Sequence, residues 1–397
     1  MKKFTVNEHC SWILSQGSPH NCITVAGVSG NIDFLKFQYA AQFASSEQDR
    51  LRYSIDRSIC HFVTTKQTIN IEEVTGDDWR LIAEKELEKP FLDYSVLARI
   101  TILKSNNAHY IIFCFHHIIG DGASGLYFLM RIIDCYNQLQ LIGRIDPNHN
   151  KNYSQSLPYS EKTLANQEAH KLYVKTKIKG ISVDEKIIHN IENKIKKIKL
   201  SLNSYLSQII LQSAAEVFYV KNFSVLMPIN LRNGSKNKIP CSLEFNTSWI
   251  NFEWSFLIHE NRTESACIIH SNVKKSLFNK LHLKNLNLLN HAIENRKSNF
   301  SFLNSFISKN PTICISNLGV INKSILRKQA DLPLQLIEAH ASVNAQSYMG
   351  TSQSFTIQLC QLIGRGLFID VNYPFPLVSD KKVTLFLDKL EQKLFSG

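Results

Sequence analysis

The sequence lacks the features that define three classes of protein. No apolar stretch approaches the roughly 18 residues that a membrane-spanning helix needs. Lys2 and Lys3 are not followed by an apolar core, so the N-terminus does not resemble a secretory signal peptide. The 9 cysteines include no Cys-x-x-Cys pair, and an odd, unpatterned count is typical of reduced thiols. We therefore expect a cytoplasmic protein without a transmembrane segment.

Acidic residues are few relative to basic ones, since 33 carboxylates oppose 45 lysines and arginines and leave a net charge of +12. Such an excess suits nucleic acid, an anionic membrane, or an anionic cofactor or partner. Half of it lies between Lys171 and Lys199, which hold 9 lysines, no arginine and 3 acidic residues. A lysine run without interleaved arginine and aromatic residues is typical of a solvated face, so we expect no nucleic-acid partner.

The sequence gives little support for a metal ion or a membrane lipid as the ligand. The histidines at 259, 270, 282 and 291 lack the spacing of metal ligands, and we expect no metal site. We see no strongly basic amphipathic helix with exposed aromatic residues, which disfavours a lipid-binding protein of the membrane surface. Peripheral membrane contact stays an alternative. A hydrophobic content of 44% and a charged content of 20% predict a folded chain with a large core.

One stretch organises the rest of the chain, namely residues 110–125, YIIFCFHHIIGDGASG. It begins as an apolar run typical of a strand buried on both faces. It then passes through His116, His117, Gly120, Asp121 and Gly122, and a second apolar run predicts a helix. Polar residues that link a buried strand to a helix are often functional. The glycines suit a tight turn and leave room for a substrate.

The strand geometry separates the two histidines, because neighbouring strand side chains point to opposite faces. This argues against a metal site formed by His116 and His117 together. It favours one working imidazole beside one packed neighbour. Asp121 could orient the imidazole directly, or it could hold the turn by pairing with an arginine elsewhere. The plainer alternative is a satisfied core histidine beside a turn aspartate.

The length of 397 residues favours two domains. Strand and helix patterns alternate along the chain, with helices predicted after Gly30-Asn-Ile-Asp33, over 81–88, after Ser201 and over 381–394. A turn is predicted at Asn106-Asn107, and a hairpin near the C-terminus. The polar residues 143–170 are the best candidate for the crossover between two halves.

The string His116-His117-x-x-x-Asp121-Gly122 resembles the signature of the thioester-dependent acyltransferase superfamily. Its members include chloramphenicol acetyltransferase, peptide-synthetase condensation domains, alcohol acyltransferases and polyketide-associated acyltransferases. Other stretches are similar to the same superfamily, namely Gly30-x-Ile-Asp33, Leu51-Arg52 and Ser316-Asn317-Leu-Gly319. The resemblance covers nearly the whole chain.

The resemblance implies an α/β (α+β) architecture of two chloramphenicol-acetyltransferase-like halves, each a mixed sheet with flanking helices. An active-site tunnel would lie between an N-terminal half, 1–165, and a C-terminal half, 166–397. It also implies roles for residues. His117 would be the general base, with His116 in support. Asp121 would be chiefly structural and bound by Arg232. A buried carboxylate beneath a turn needs such a compensating charge.

Ser316, Asn317 or a backbone N–H near Gly122 are candidates to stabilise the reacting oxygen. The sequence departs from the family at two places. Ser204 stands at a usual aspartate position, which we expect to affect capping. A usual glycine is missing near residues 244–246, and this puts the shape of the substrate channel in question.

The implied activity is transfer of an acyl group from a coenzyme A or carrier-protein thioester to a small-molecule or lipid alcohol, forming an ester. Acyl-CoA or acyl-phosphopantetheine would be the co-substrate, with no bound cofactor. The alternatives are an amide-forming condensation enzyme with a carrier-protein donor, or a non-catalytic homologue that binds thioesters or carrier proteins. We expect a monomer.

Overall fold

The computed structural model describes residues 2–57, 60–105, 108–145, 174–232, 242–256, 261–294, 312–321, 332–345 and 355–396. Within them the strands are β1 Lys2–Lys3, β2 Asn21–Ser29, β3 Tyr53–Asp56, β4 His61–Thr64, β5 Asn70–Thr75, β6 Ala98–Lys104, β7 His109–His116, β8 Lys175–Val183, β9 Asn222–Asn230, β10 Thr247–Ser255, β11 Thr312–Ile321, β12 Gln335–Val343, β13 Phe355–Leu362 and β14 Gly366–Phe375. The helices are α1 Val6–Ser15, α2 Phe34–Ser46, α3 Trp79–Glu88, α4 Gly122–Ile142, α5 Glu185–Lys197, α6 Leu202–Phe218, α7 Arg262–Phe278, α8 Leu281–Glu294 and α9 Asp380–Phe395, with a 3-10 turn at Asp49–Arg52.

The N-terminal half is built on a five-stranded sheet in the order β12-β2-β7-β6-β5. Strand β7 pairs antiparallel with β2 on one side and with β6 on the other, and β5 runs parallel to β6. The strand β7, which carries the two histidines at its end, is buried along its last six residues, as its apolar run predicts. One face packs against α2 and α4, and the other against α3, so a continuous apolar strand is what the position requires.

The C-terminal half is built on a six-stranded sheet in the order β10-β9-β11-β13-β14-β8. The predicted hairpin near the C-terminus is confirmed as the antiparallel pair β13–β14. Helices α5, α6, α7 and α9 bury apolar residues in a second core with this sheet. The mixed α/β architecture with two such halves agrees with the expected fold class.

One strand crosses between the halves. β12, from the C-terminal part of the chain, pairs antiparallel with β2 and completes the first sheet. Its other neighbours are the strands β13 and β14 of the second sheet. His340 on β12 contacts Asp370 on β14, with 2.7 Å between His340 Nδ1 and Asp370 Oδ2. The predicted division after residue 165 lies outside the described residues.

Local sequence signals explain where the helices near the site begin. Asp33 caps α2 by accepting from the backbone N–H of Lys36, and Ser201 caps α6 by accepting from that of Ser204. The predicted helix after the histidine motif is α4, which begins at Gly122 and ends at Ile142, and Gly143 caps it in the left-handed conformation, φ 70°. The predicted turn at 106–107 lies outside the described residues, as does the predicted crossover beyond residue 145.

Candidate active site

His117 follows directly on β7. Its backbone N–H donates to the carbonyl of His20 at 2.9 Å, which continues the pairing between β7 and the start of β2. The chain then turns through Gly120 into α4. A Cβ on Gly120 would lie 2.9 Å from Ser124 Oγ and 3.2 Å from Leu243, so this turn has little room for a side chain.

The imidazole of His117 is held in one tautomer. Its Nδ1 lies 2.9 Å from the carbonyl oxygen of Gly120. Since a carbonyl only accepts, Nδ1 carries the proton and Nε2 keeps its lone pair. Burial lowers the pKa of His117 below its ordinary value of 6.5, against smaller opposing contributions that include Asp121. The neutral imidazole, with Nε2 able to take a proton, is therefore favoured near neutral pH.

Two rings flank the imidazole of His117. The His20 ring lies 5.0 Å away between centroids, and the Phe245 ring lies 4.4 Å away at an interplanar angle of 34°. His20 is itself buried, and its Nδ1 lies 3.0 Å from the hydroxyl of Ser11. Phe245 comes from the C-terminal half, at the place where the usual glycine is missing. The imidazole of His117 is thus enclosed by residues of both halves.

His116 has a different environment, as the alternation along the strand predicts. Its Nδ1 accepts from the backbone N–H of Ile118 at 3.1 Å, and its ring packs near Phe91 and Tyr94. Burial lowers the pKa of His116 to about 3, with a further contribution from His117. His116 is therefore neutral at physiological pH and packs in the core beside the turn.

Asp121 holds the turn and makes no hydrogen bond to the imidazole of His117 among the described residues. Its Oδ1 accepts from the backbone N–H of Ser124, 2.9 Å away, which caps α4. Its Oδ2 accepts from Arg232 Nη1 at 2.8 Å, Thr247 Oγ1 at 2.8 Å and the Asn246 backbone N–H at 3.2 Å. Of the two roles left open by the sequence, the structure places Asp121 in the one that pairs it with an arginine.

The environment of Asp121 favours its charged form. Burial would raise the pKa of the carboxyl, but the charge and hydrogen bond of Arg232, with the other donors, lower it below its ordinary value. Arg232 also donates from Nη2 to the carbonyl of Glu244 at 2.6 Å. Arg232 therefore ties the turn after His117 to the segment that carries Phe245.

The remaining predicted residues are Gly122, Ser316 and Asn317. Gly122 is the first residue of α4, and a Cβ there would lie 3.2 Å from Leu318 of β11. Asn317 is exposed and donates from Nδ2 to Asn203 Oδ1 at 3.1 Å, and its Oδ1 accepts from the Gly319 backbone. Ser316 is half-buried on β11. Among the described residues, neither Ser316 nor Asn317 hydrogen-bonds to His117.

Sequence reasoning did not single out His20 or Thr247, and it noted Phe245 only as part of the stretch where the usual glycine is missing. Phe245 and Thr247 follow Arg232 in the sequence, but they contact His117 and Asp121, which lie more than a hundred residues earlier in the chain. Asn7 of α1 fixes their path by donating to the carbonyl of Thr247 at 2.7 Å. The available signal for His20 was its position immediately before a buried strand.

The described residues contain no group of three or more His, Cys, Asp or Glu side chains that could hold a metal ion. They also include no helix long and apolar enough to cross a membrane.

A family model describes part of this chain. Residues 11–179 match the model of the condensation domain. The matched range includes His117 and Asp121. This part of the chain is therefore similar to the condensation-domain family. The match and the fold together confirm the resemblance to the thioester-dependent acyltransferase superfamily.

Solved structures match over nearly the full length. The first condensation domain of the CDA synthetase has a TM-score of 0.68 at 11% identity, covering 99% of this chain and 95% of its own. Polyketide synthase associated protein 5 from Mycobacterium tuberculosis has a TM-score of 0.67 at 11% identity, covering 99% of both chains. A Streptomyces globisporus protein, solved with (R)-(-)-1-(2-naphthyl)-1,2-ethanediol and sucrose, has a TM-score of 0.64 at 10% identity, covering 98% of both chains. At these identities the likeness concerns the fold. No curated protein sequence matches this one significantly.

Proposed function

We propose that the protein is an acyltransferase that moves an acyl group from a thioester to an alcohol, with His117 as the general base. The observation that carries this proposal is the hydrogen bond from His117 Nδ1 to the carbonyl of Gly120. It leaves Nε2 unprotonated in a buried site whose environment disfavours the imidazolium. A general base must have such a free lone pair near neutral pH.

The proposed reaction needs no covalent intermediate. Nε2 of His117 takes the proton of the acceptor hydroxyl as its oxygen attacks the thioester carbonyl. The tetrahedral oxyanion then collapses, the carbon–sulfur bond breaks, and the imidazolium returns the proton to the leaving thiolate. The first turn of α4 at Gly122 supplies backbone N–H groups and the positive end of a helix dipole for the oxyanion. Ser316 and Asn317 stay candidates for the same task.

The thioester in this proposal belongs to coenzyme A or to the phosphopantetheine of a carrier protein. Both donors carry phosphate, and a chain with a net charge of +12 attracts either one. His117, Asp121 and Arg232 would serve either donor, since all three act at the reacting centre and not on the carrier.

The proposed acceptor is a small-molecule or lipid alcohol. The Ser316-Asn317-Leu-Gly319 element favours it, and so does the diol in the structurally similar Streptomyces globisporus protein. A second candidate is amide formation with a carrier-protein donor. The condensation-domain match over residues 11–179 favours this candidate, which uses the same base on an amine.

Thiol release from a panel of acyl-CoAs, with and without alcohols and amines, tests the proposal. Wild type should release thiol in an acceptor-dependent manner. His117→Ala should lose about 100- to 10,000-fold in rate while keeping its melting temperature, since a general base contributes that much. His189→Ala, at an exposed position on α5, is the matched control and should keep full activity.

The outcomes separate the candidates. Ester products identify an alcohol acceptor, and amide products the condensation-type enzyme. Activity with carrier-protein thioesters alone identifies the donor. If His117→Ala retains most of the activity, the assignment of the base is wrong. If no donor releases thiol, the result favours the non-catalytic homologue that binds thioesters or carrier proteins.

A further inference from the structure

Helices α7 and α8 form a hairpin that carries charge of one sign. From Ser265 to Ile293 the sequence contains no aspartate or glutamate and four lysines. These lysines, all exposed, are Lys274, Lys275, Lys280 and Lys284. None of them makes an ion pair within the described part of the chain. The hairpin therefore presents an uncompensated local charge to solvent.

The same hairpin exposes large apolar side chains, which are Ile268 (51% exposed), Leu277 (37%), Phe278 (87%), Leu283 (42%) and Leu288 (55%). Leu277 and Phe278 end α7 and Leu283 lies in the first turn of α8, so three of the five lie near the corner between the helices. We call this surface, with its four lysines, the basic apolar hairpin. Single exposed apolar residues are ordinary, but a cluster among unpaired lysines indicates an interaction site.

A groove continues this surface toward the end of α5. It has a volume of about 470 Å³ and lies between α7 and the turn after α5. Ile198 and Lys199 line one side, and Lys274, Lys275 and Phe278 line the other. Ile198 is 44% exposed. The combination of lysine and apolar side chains therefore extends from the hairpin to a second helix.

We propose that the basic apolar hairpin docks the protein onto an anionic lipid surface. Lysines near a membrane are attracted by anionic headgroups, and Phe and Leu side chains bury themselves at the boundary with the acyl chains. Lysine stems can lie along the apolar layer while their ammonium groups reach the headgroups. An 87% exposed Phe278 fits a deformable lipid surface, which needs no matching pocket.

An acidic protein is a different kind of partner for the same charges. A stable protein interface buries about 800 Å² on each side, with complementary shape at its centre. The groove is lined by three exposed lysines and by the exposed side chains of Ile198 and Phe278, which favours the lipid surface. The sequence kept peripheral membrane contact as an alternative but did not locate a surface for it, because which face of α7 is exposed depends on packing against α6 and α8.

Co-sedimentation with vesicles tests the proposal, using pure phosphatidylcholine and an equal mixture with phosphatidylglycerol. Wild type should bind the mixed vesicles and not the neutral ones, and high salt should release it. Lys274→Gln with Lys275→Gln should weaken binding about 30-fold, since each lysine near an anionic surface contributes about a factor of five. Phe278→Ser should weaken it about tenfold through lost apolar burial.

Matched substitutions elsewhere are the controls. Lys66→Gln with Lys85→Gln removes two exposed lysines from the other half, and Leu35→Ser removes an apolar side chain that is 75% exposed. Both should bind vesicles like wild type. The proposal is overturned if wild type does not bind mixed vesicles, or if hairpin and control variants weaken equally. It is also overturned if the hairpin variants lose binding to an acidic carrier protein while vesicle binding is absent throughout.

Discussion

Removing Arg232 is the most informative perturbation of the site. Asp121 and Arg232 are largely buried, at 7% and 10% side-chain exposure, and their charged atoms lie 2.8 Å apart. Arg232→Ala leaves Asp121 with uncharged donors only. It also removes the donor to the carbonyl of Glu244. Breaking a buried ion pair by removing one partner costs about 3–5 kcal/mol of unfolding free energy.

This loss is large enough to measure by thermal unfolding. Each kcal/mol shifts the melting temperature by about 2–4 °C in domains of this size, so Arg232→Ala should lower it by about 6–20 °C. Arg232→Lys keeps the charge with fewer donors and should lose less. Arg52→Ala breaks an exposed pair with Asp49, whose side chains are 54% and 39% exposed, and should change the melting temperature by about 2 °C or less.

The pH dependence gives a second readout of the same pair. In the wild type the pKa of Asp121 is lowered. The ion pair therefore contributes its full stability above the unfolded pKa of about 3.9, and this stability is lost as the pH falls through the pKa of the folded state. Without Arg232, burial raises the pKa of Asp121, and protonation relieves the unpaired charge. The gap in melting temperature between wild type and Arg232→Ala should therefore narrow from pH 7 toward pH 4. A gap below about 2 °C at pH 7, or one that widens on acidification, would refute the reasoning.

Three further predictions follow from the same geometry. Because burial lowers the pKa of His117, the acid limb of the kcat/KM profile should have its midpoint below pH 6.5. A midpoint above that value would contradict the buried environment of His117. Phe245→Ala should admit water to one face of His117 and move the midpoint of that limb to higher pH, and it should cost about 0.5–1.5 kcal/mol of unfolding free energy. An unchanged pH profile would show that the Phe245 ring does not shield His117. Burial would lower the pKa of His340, but Asp370 and Glu338 outweigh burial and raise it. The contribution of His340 to stability is therefore fully present below its unfolded pKa of about 6.5, and it is lost as the pH rises through the pKa of the folded state. His340→Gln should therefore differ most from wild type in melting temperature below pH 6.5 and least in alkaline buffer, and a gap that grows with pH would contradict this assignment.

The sequence predicted the parts of the site that local chemistry determines. The apolar run into His117 requires a strand, and the glycines with Asp121 require a turn that caps a helix. The alternation of strand side chains correctly separated the two histidines. The tie between Asp121 and Arg232 came from resemblance and from the need of a buried carboxylate for a counter-charge, and the two residues lie within hydrogen-bond distance.

The parts that the sequence did not predict depend on contacts between distant segments. Phe245 reaches His117 because Asn7 and Arg232 fix the backbone of residues 244–247 from two directions. Strand β12 was not predicted because its sequence, QLIEAHASV over Gln335–Val343, mixes apolar, small and charged residues without a clear alternation or a long apolar run. The lysine-rich run was expected to be a solvated face, and it also contributes the edge strand β8 of the second sheet.

The site exists only where the two halves meet. His117 and the turn that orients it come from the N-terminal half, while Phe245 and Arg232 come from the C-terminal half. The condensation-domain match ends at residue 179, so it includes His117, Asp121 and the flanking His20, but neither Phe245, which covers the other side of the imidazole, nor Arg232, which neutralises the carboxylate. The N-terminal half alone would leave Asp121 without its counter-charge and open one face of the imidazole to water. Because the pairing of β12 with β2 and the contact between His340 and Asp370 join the halves, residues far from His117 determine whether its imidazole is enclosed.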